Sequence, residues 1–123
     1  MLWKIYDALI DHPLIYDKVG NRIKFYEYPE TGDVSGVFII IDPLSPPKPV
    51  GHGDNKRIVY EYFYQIDVWS RDMDDTAIVM ETVSDVMWKI GFGETDGIDE
   101  YDKDTDIFRQ AKRFIGRFEK LKE

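Results

Sequence analysis

The sequence contains no cysteine and only two histidines, His12 and His52. Without cysteine the chain has no disulfides, no thiolate nucleophile and no zinc site of the Cys type, a composition typical of a reducing cytoplasm. Neither histidine has a partner at the spacing of a metal site or a catalytic triad, so both are expected to be solvent-exposed loop residues. The sequence therefore predicts a protein that is not an enzyme and that binds no metal or cofactor.

Long apolar runs and basic residues are also scarce. No segment approaches the length of a transmembrane span, and the N-terminal MLWKIYDALIDHP carries acids where a signal peptide has an apolar core. Lysine and arginine total 16 against 24 aspartates and glutamates, which gives a net charge of −8. This charge opposes loose binding to nucleic acid or to an anionic membrane. We expect a soluble cytoplasmic protein that binds neither.

Apolar and aromatic side chains are abundant, at 43% and 15% of the 123 residues. That content supports a packed core and excludes a disordered chain. A chain of this length buries well over half of its unfolded surface when it folds as one unit. We therefore expect a single domain over residues 1–123.

The hydrophobic periodicity predicts two helices and three strands. Apolar residues recur at helical spacing over 2–10 and over 73–90. The second helix follows an N-cap at Asp72 and is expected to bury a stripe that includes Met73 and Met80. The strands are expected at residues 22–28, 37–44 and 58–70.

Proline and glycine are concentrated between the second and third strands. Residues 43–57 contain four prolines and two glycines, a composition that predicts a long loop joining two antiparallel strands. Residues 94–106 carry seven acids and one lysine, as surface turns or an edge ribbon do. The element order predicts an α+β fold, in which an N-terminal helix and one long helix pack on a mainly antiparallel sheet.

The last segment, IFRQAKRFIGRFEKLK, fits two structures. Its apolar residues follow a helical period, but a strand would place Arg109, Arg113 and Arg117 on one basic face. This basic stripe is either a solvated face or a surface that meets acids, such as the 94–106 ribbon of a neighbouring copy. Periodicity alone favours the helix.

The strand at 58–70 has two different faces. Its even positions form a continuous apolar face that is ordinary core, from Tyr60 to Val68. Its odd positions place Phe63 and Trp69 among two acids and an amide that are expected to remain solvated. A solitary domain rarely places large rings on such a face without a reason.

The acids of the 94–106 ribbon resemble a calcium loop only in part. Asp102, Asp104 and Asp106 stand at alternate positions, as calcium ligands do. Ile107 then occupies the position that needs glycine, and Arg113 occupies that of the bidentate glutamate. We interpret the segment as a solvated acidic turn.

Four stretches in this order resemble the small tail-completion proteins of long-tailed bacteriophages, a family of tail terminators and head–tail joining proteins. They are LWKIYDAL, YEYFYQIDVWSRD running into the helix at 73–90, the GF that follows that helix, and YDKDTDIFRQAKRFIGRFE. The resemblance covers most of the chain in pattern and element order. It includes no catalytic signature.

The resemblance implies a fold, a role and a set of partners. Proteins of this family form a ring, typically a hexamer, at the head-proximal end of the tail, where they terminate the tube or join it to the head connector. The partners implied are further copies of the chain, the tail tube protein and the head connector protein, first in the host cytoplasm and then in the tail or neck of the virion. Residues 106–118 would be a strand. The assembly interface would include Phe63, Trp69, Arg109, Arg113, Arg117, Asp102, Asp104 and His52.

A second hypothesis rests on charge alone. The net charge of −8 and the acidic ribbon suit a monomeric inhibitor that mimics nucleic acid. The basic residues near the C-terminus oppose this hypothesis, because they would spoil the mimicry.

Overall fold

The computed structural model describes residues 1–30, 32–54 and 57–121, without the side chains of residues 52–54, 57 and 121. It contains three helices and six strands over these residues. The helices are α1 (Leu2–Ile10), α2 (Pro13–Val19) and α3 (Met73–Lys89). The strands are β1 (Ile23–Phe25), β2 (Phe38–Pro43), β3 (Lys48–Asp54), β4 (Arg57–Ser70), β5 (Phe92–Asp102) and β6 (Ile107–Leu121).

The six strands form one sheet in the order β1-β2-β4-β6-β5, with β3 paired to β4 beyond the end of β2. The β1–β2 pair is parallel and every other pair is antiparallel. The longest pairing joins β4 to β6, from Arg57 opposite Leu121 to Ser70 opposite Phe108. The α+β fold with a mainly antiparallel sheet is confirmed.

All three helices pack on one side of the sheet. Their buried side chains, among them Ile5, Ile15 and Met80, share one hydrophobic cluster with Tyr64 and Ile66 of β4. The even face of β4 is core, as the alternation predicts. Burial raises the pKa of Tyr64 to about 12, with smaller contributions from two other tyrosines, so its hydroxyl stays neutral.

Local signals account for the long helix α3. The Asp72 carboxylate accepts a hydrogen bond from the Asp75 backbone N–H at 2.9 Å, which caps the first turn. After the helix, Gly91 adopts a φ of 101°, a left-handed conformation that glycine takes without strain. The buried stripe includes Met80, but the prediction for Met73 is wrong, because its side chain is 60% exposed at the first helical position.

The predicted loop at 43–57 is wrong over about half of its length, because Lys48–Asp54 forms β3. Proline cannot donate to a ladder, but Pro49 lies in a strand at the edge of the sheet, where only one side is paired. The pairing register shifts between Pro49 and Gly51 and again between His52 and Asp54. Irregularities of this kind let an edge strand hold residues that a central strand would reject.

Helix α2 has no counterpart in the predicted elements. Pro13 has the sequence pattern of a helix terminator, but it lies in the first turn of α2, where the missing N–H costs nothing. The His12 imidazole accepts a hydrogen bond from the Leu14 backbone N–H at 3.2 Å and so caps this helix. His12 is therefore a capping residue and not a free loop histidine.

The ambiguous C-terminal segment is the strand β6, as the resemblance implies and periodicity alone does not. The acidic ribbon is the edge strand β5 and its turn into β6. Within the described ranges, none of the helices has the length and hydropathy needed to cross a bilayer.

Candidate assembly surface

The face of the sheet opposite the helices carries the odd-numbered residues of β4. Residues opposite each other in adjacent strands share a face, so Glu61 lies beside Arg117, Gln65 beside Arg113 and Trp69 beside Arg109. The buried apolar side chains of the helices all belong to the core on the other side. We call this second surface the open face.

A buried carboxylate organises the upper part of the open face. Asp67 is 5% exposed, and its carboxylate lies 2.8 Å from Arg109 Nη2. The same carboxylate accepts hydrogen bonds from Arg109 Nε at 2.9 Å and from the Gln65 side-chain amide at 2.9 Å. Arg109 also donates through Nη1 to Glu100 of β5 at 2.7 Å. Burial disfavours the charged guanidinium, but its bonds to Glu100 and Asp67 outweigh this and raise the pKa of Arg109. The network ties β4, β6 and β5 together.

Two further arginines continue the same row towards the other end of β6. Arg113 donates to the Gln65 side-chain oxygen at 3.2 Å, and its Nη1 lies 3.9 Å from an Asp96 carboxylate oxygen. Arg117 donates to Glu61 at 3.0 Å, with its own side chain 67% exposed. The row grows more exposed from Arg109 to Arg117.

The basic stripe therefore meets acids of its own chain. Arg109 and Arg113 contact the 94–106 ribbon within the molecule, and Lys112 does so on the helix side, where its ammonium lies 3.3 Å from Glu94. These pairs hold the β5–β6 hairpin together. These ion pairs within one molecule explain why a basic stripe lies next to an acidic ribbon, and they do not require the ribbon of a neighbouring copy.

Trp69 is half-buried by side chains of its own chain. Its ring stacks on Phe38 with centroids 5.9 Å apart, and the Arg109 guanidinium lies 5.1 Å from the ring centroid. The Tyr28 ring also packs against Phe38, with the two centroids 4.2 Å apart. The Trp69 indole N–H is buried and has no acceptor among the described residues.

Phe63 is one of several apolar residues that lie between the ion pairs of the open face. Its opposite residue on β6 is Ile115, and both side chains are half-buried. Ile40 of β2, also half-buried, and Ile98 of β5, 48% exposed, lie on the same face at the level of Asp67. The open face thus combines ion pairs with apolar side chains, the mixture found at protein interfaces.

Asp102 and Asp104 shape the turn at the tip of the β5–β6 hairpin. The Asp102 carboxylate accepts from the Asp104 backbone N–H at 2.9 Å, and the Asp106 backbone N–H donates to the Asp102 carbonyl at 2.8 Å. The Tyr101 hydroxyl hydrogen-bonds the Asp106 carboxylate. In the part of the chain that the structure describes, no group of three or more His, Asp or Glu side chains is placed to hold a metal ion.

The structure brings together five of the eight residues proposed for the interface and separates the others. The open face carries Phe63, Trp69, Arg109, Arg113 and Arg117. Asp102 and Asp104 lie at the hairpin tip. His52 lies in β3 opposite Ile58, and its side chain is outside the described residues.

The sequence reasoning missed the acidic partners Asp67, Glu61 and Glu100. A signal was present, because Glu61 and Gln65 are four residues apart, as are Arg113 and Arg117. An antiparallel pairing of the two segments places the equal intervals opposite each other. The signal is readable only when the last segment is taken as a strand.

Comparison with known proteins identifies a similar fold. No protein-family model matches the chain, and no curated protein matches it. A chain from the solved structure of the virion of a native gene transfer agent particle is similar over 94% of this chain and 92% of its own length, with a TM-score of 0.68 and 16% sequence identity. At this identity the likeness shows a shared fold.

Proposed function

We propose that this chain is a structural protein of a phage or prophage particle, which completes the tail by forming a ring at its head-proximal end. The observation that carries the proposal is the shared fold, because it extends over nearly the whole of both chains and the similar chain belongs to a virion. The element order that resembles tail-completion proteins supports the finer assignment. In this role the chain terminates the tail tube or joins it to the head connector.

The surface of the chain supports a role in assembly. The open face presents apolar side chains interleaved with a row of arginines, and α3 and β5 expose further large apolar side chains. Soluble monomers rarely leave such patches uncovered. Copies of itself, the tail tube protein and the head connector protein are the proposed partners. The proposed role is structural and requires no catalysis.

The inhibitor hypothesis is weaker on the same surface. A mimic of nucleic acid needs carboxylates free to face the partner. Here Glu94, Glu100 and Asp96 are paired with basic side chains of the same molecule. The acidic ribbon therefore presents less negative charge than its sequence indicates.

The test is deletion of the gene in the phage or prophage that carries it, followed by negative-stain electron microscopy of the lysate. Filled heads beside detached tails, restored to joined particles by the purified protein, are the expected result. Tails of abnormal length would assign the terminator role, and detached tails of normal length would assign the joining role. Intact infectious particles from the deletion strain would overturn the proposal.

A further inference from the structure

Apolar exposure is concentrated on one edge of the molecule. Ten large hydrophobic side chains are exposed in the described part of the chain, and five of them lie on α3 and β5. These five are Met73, Ile78 and Trp88 of α3, Tyr101 of β5 on the same side of the sheet, and Ile98 of β5 on the open face. Strand β5 is also an edge strand, paired only with β6 among the described strands. We call this surface, formed by Met73–Lys89 and Phe92–Asp102, the α3–β5 edge.

The α3–β5 edge contains a groove with an aromatic floor. Tyr101 and Phe108 lie with ring centroids 4.7 Å apart, and Met73 and Ala77 of α3 form the opposite wall. The groove has a volume of about 510 Å³, enough for several side chains. A second concavity, lined by Trp88 among others, continues along the same side of the helix. An open apolar groove beside an unpaired strand edge suits an extended segment of another chain.

The rim of this groove is acidic, and part of its charge has no basic partner. Asp74 and Asp99 line the groove, and Asp85 lines the second concavity. All three are exposed, and none of them forms an ion pair with another described residue. Glu94 and Glu100 nearby are already paired with Lys112 and Arg109. The rim therefore favours a partner segment that carries free positive charge.

Strand β3 has the complementary properties at the opposite edge of the sheet. Residues 48–51 are all exposed, and β3 pairs only with β4 among the described strands. Val50 is 40% exposed, and Lys48 forms no ion pair with another described residue. The segment is short, extended, apolar at its centre and basic at its start.

The two surfaces cannot meet within one molecule. Lys48 pairs with Glu61 of β4, and Glu61 pairs with Arg117 of β6. The groove lies farther along β6, beside Arg109. Eight residues of an extended strand separate these levels, which is about 26 Å. Contact between β3 and the groove therefore needs a second copy.

We propose that β3 of one copy lies along the α3–β5 edge of the next, with Lys48 against the acidic rim and Val50 against the groove. The proposal rests on the proposed ring of copies and specifies its contact. Because the two surfaces are different and lie at opposite edges of the sheet, the contact is head-to-tail. A head-to-tail contact that closes on itself produces a ring.

Cysteine pairing tests this contact cleanly, since the natural chain has no cysteine. Purified V50C and A77C proteins are mixed in equal amounts at high concentration and oxidised. A V50C–A77C disulfide dimer that exceeds both homodimers several-fold is expected, because only the head-to-tail contact brings the two positions together. The matched control is V34C with A77C, since Val34 is as exposed as Val50, at 40%. Equal dimer yields for V50C and V34C would overturn the inference.

Charge variants separate this contact from the function as a whole. Lys48→Glu should reduce the V50C–A77C dimer several-fold, and adding Asp99→Lys to the partner should restore it. Lys24→Glu, in β1 and outside the proposed contact, should leave the dimer unchanged. Particles completed normally by the Lys48→Glu protein would reject the β3 contact and leave the proposed function standing. Intact particles without any copy of the gene would reject the function itself.

Discussion

At the scale of single residues, the carboxylates of the open face experience different environments. Asp67 is buried but held by Arg109, whereas Asp42 on the neighbouring strand has no cation among its described contacts. Burial, with a further contribution from Asp67, raises the pKa of Asp42 above its ordinary value of 3.8. The ionised form of Asp42 therefore opposes folding.

The change Asp42→Asn should stabilise the protein at neutral pH. Because the pKa of Asp42 in the folded protein is above 3.8, its contribution to the free energy of unfolding is fully favourable below pH 3.8. That contribution is lost as the pH rises through the pKa of the folded state. Urea unfolding should show a higher midpoint for the variant at about pH 7 and none of this gain at about pH 3. Asp85→Asn, at an exposed position of α3, controls for the substitution itself. An equal gain at both pH values would contradict the assignment.

The change Arg109→Met should destabilise the fold by about 2 kcal/mol, because it leaves Asp67 buried without its cation. Arg117→Met is the matched control on the same strand. The Arg117 side chain is 67% exposed, so the loss of its pair with Glu61 should stay below about 0.5 kcal/mol. Urea denaturation at neutral pH measures both. Equal losses of stability in the two variants would show that burial of Asp67 does not require the Arg109 cation.

At the scale of secondary-structure elements, the contact between β5 and β6 depends on a missing side chain. A Cβ at Gly116 of β6 would lie 2.8 Å from atoms of both Phe92 and Phe118. The two rings lie 5.2 Å apart by their centroids and cover this position. The absence of a side chain at Gly116 therefore allows Phe92, at the start of β5, to pack against β6.

The change Gly116→Ala should cost about 1–3 kcal/mol, since the buried Phe92 ring and the partly buried Phe118 ring would have to move. Gly93 provides the matched control in the facing strand, because a Cβ there meets no atom within 4 Å. Gly93→Ala should be neutral or slightly stabilising, as it restricts the unfolded chain. Thermal unfolding compares the two. A Gly116→Ala protein as stable as Gly93→Ala would refute this account of the packing.

At the scale of the whole molecule, the sheet separates a core surface from a surface for other molecules. The helices cover one side, and the open face keeps Phe63 and Ile115 half-exposed next to the arginine row. If the open face contacts another virion protein, Phe63 contributes to assembly more than to folding. Its ring lies outside the core cluster.

The change Phe63→Thr should preserve the fold and impair assembly. Threonine favours a strand, so the circular dichroism spectrum should remain that of the natural protein. Complementation of the deletion strain should fall at least tenfold in the titre of infectious particles, because an apolar contact at an interface centre is lost. Tyr16→Thr, which removes a 65% exposed ring on the helix side, should complement normally. Full complementation by Phe63→Thr would exclude the open face as an essential contact.

Elements that are stabilised by local interactions can be predicted from the amino-acid sequence alone. Helix α3 follows from its apolar period and its cap at Asp72, and β4 follows from its alternation, which also assigned Phe63 and Trp69 to the face away from the core. Tertiary structure decided the rest. Residues 107–121 carry a helical period but form a strand, because β4 and β5 satisfy the backbone of β6 on both sides. The partners of Arg109 come from β4 and β5, and a strand at Lys48–Asp54 exists only through its pairing with β4. Hydrogen bonds of a helix close within four residues, whereas those of a sheet join distant segments, so strand pairing and the site built on it appear only in the folded chain.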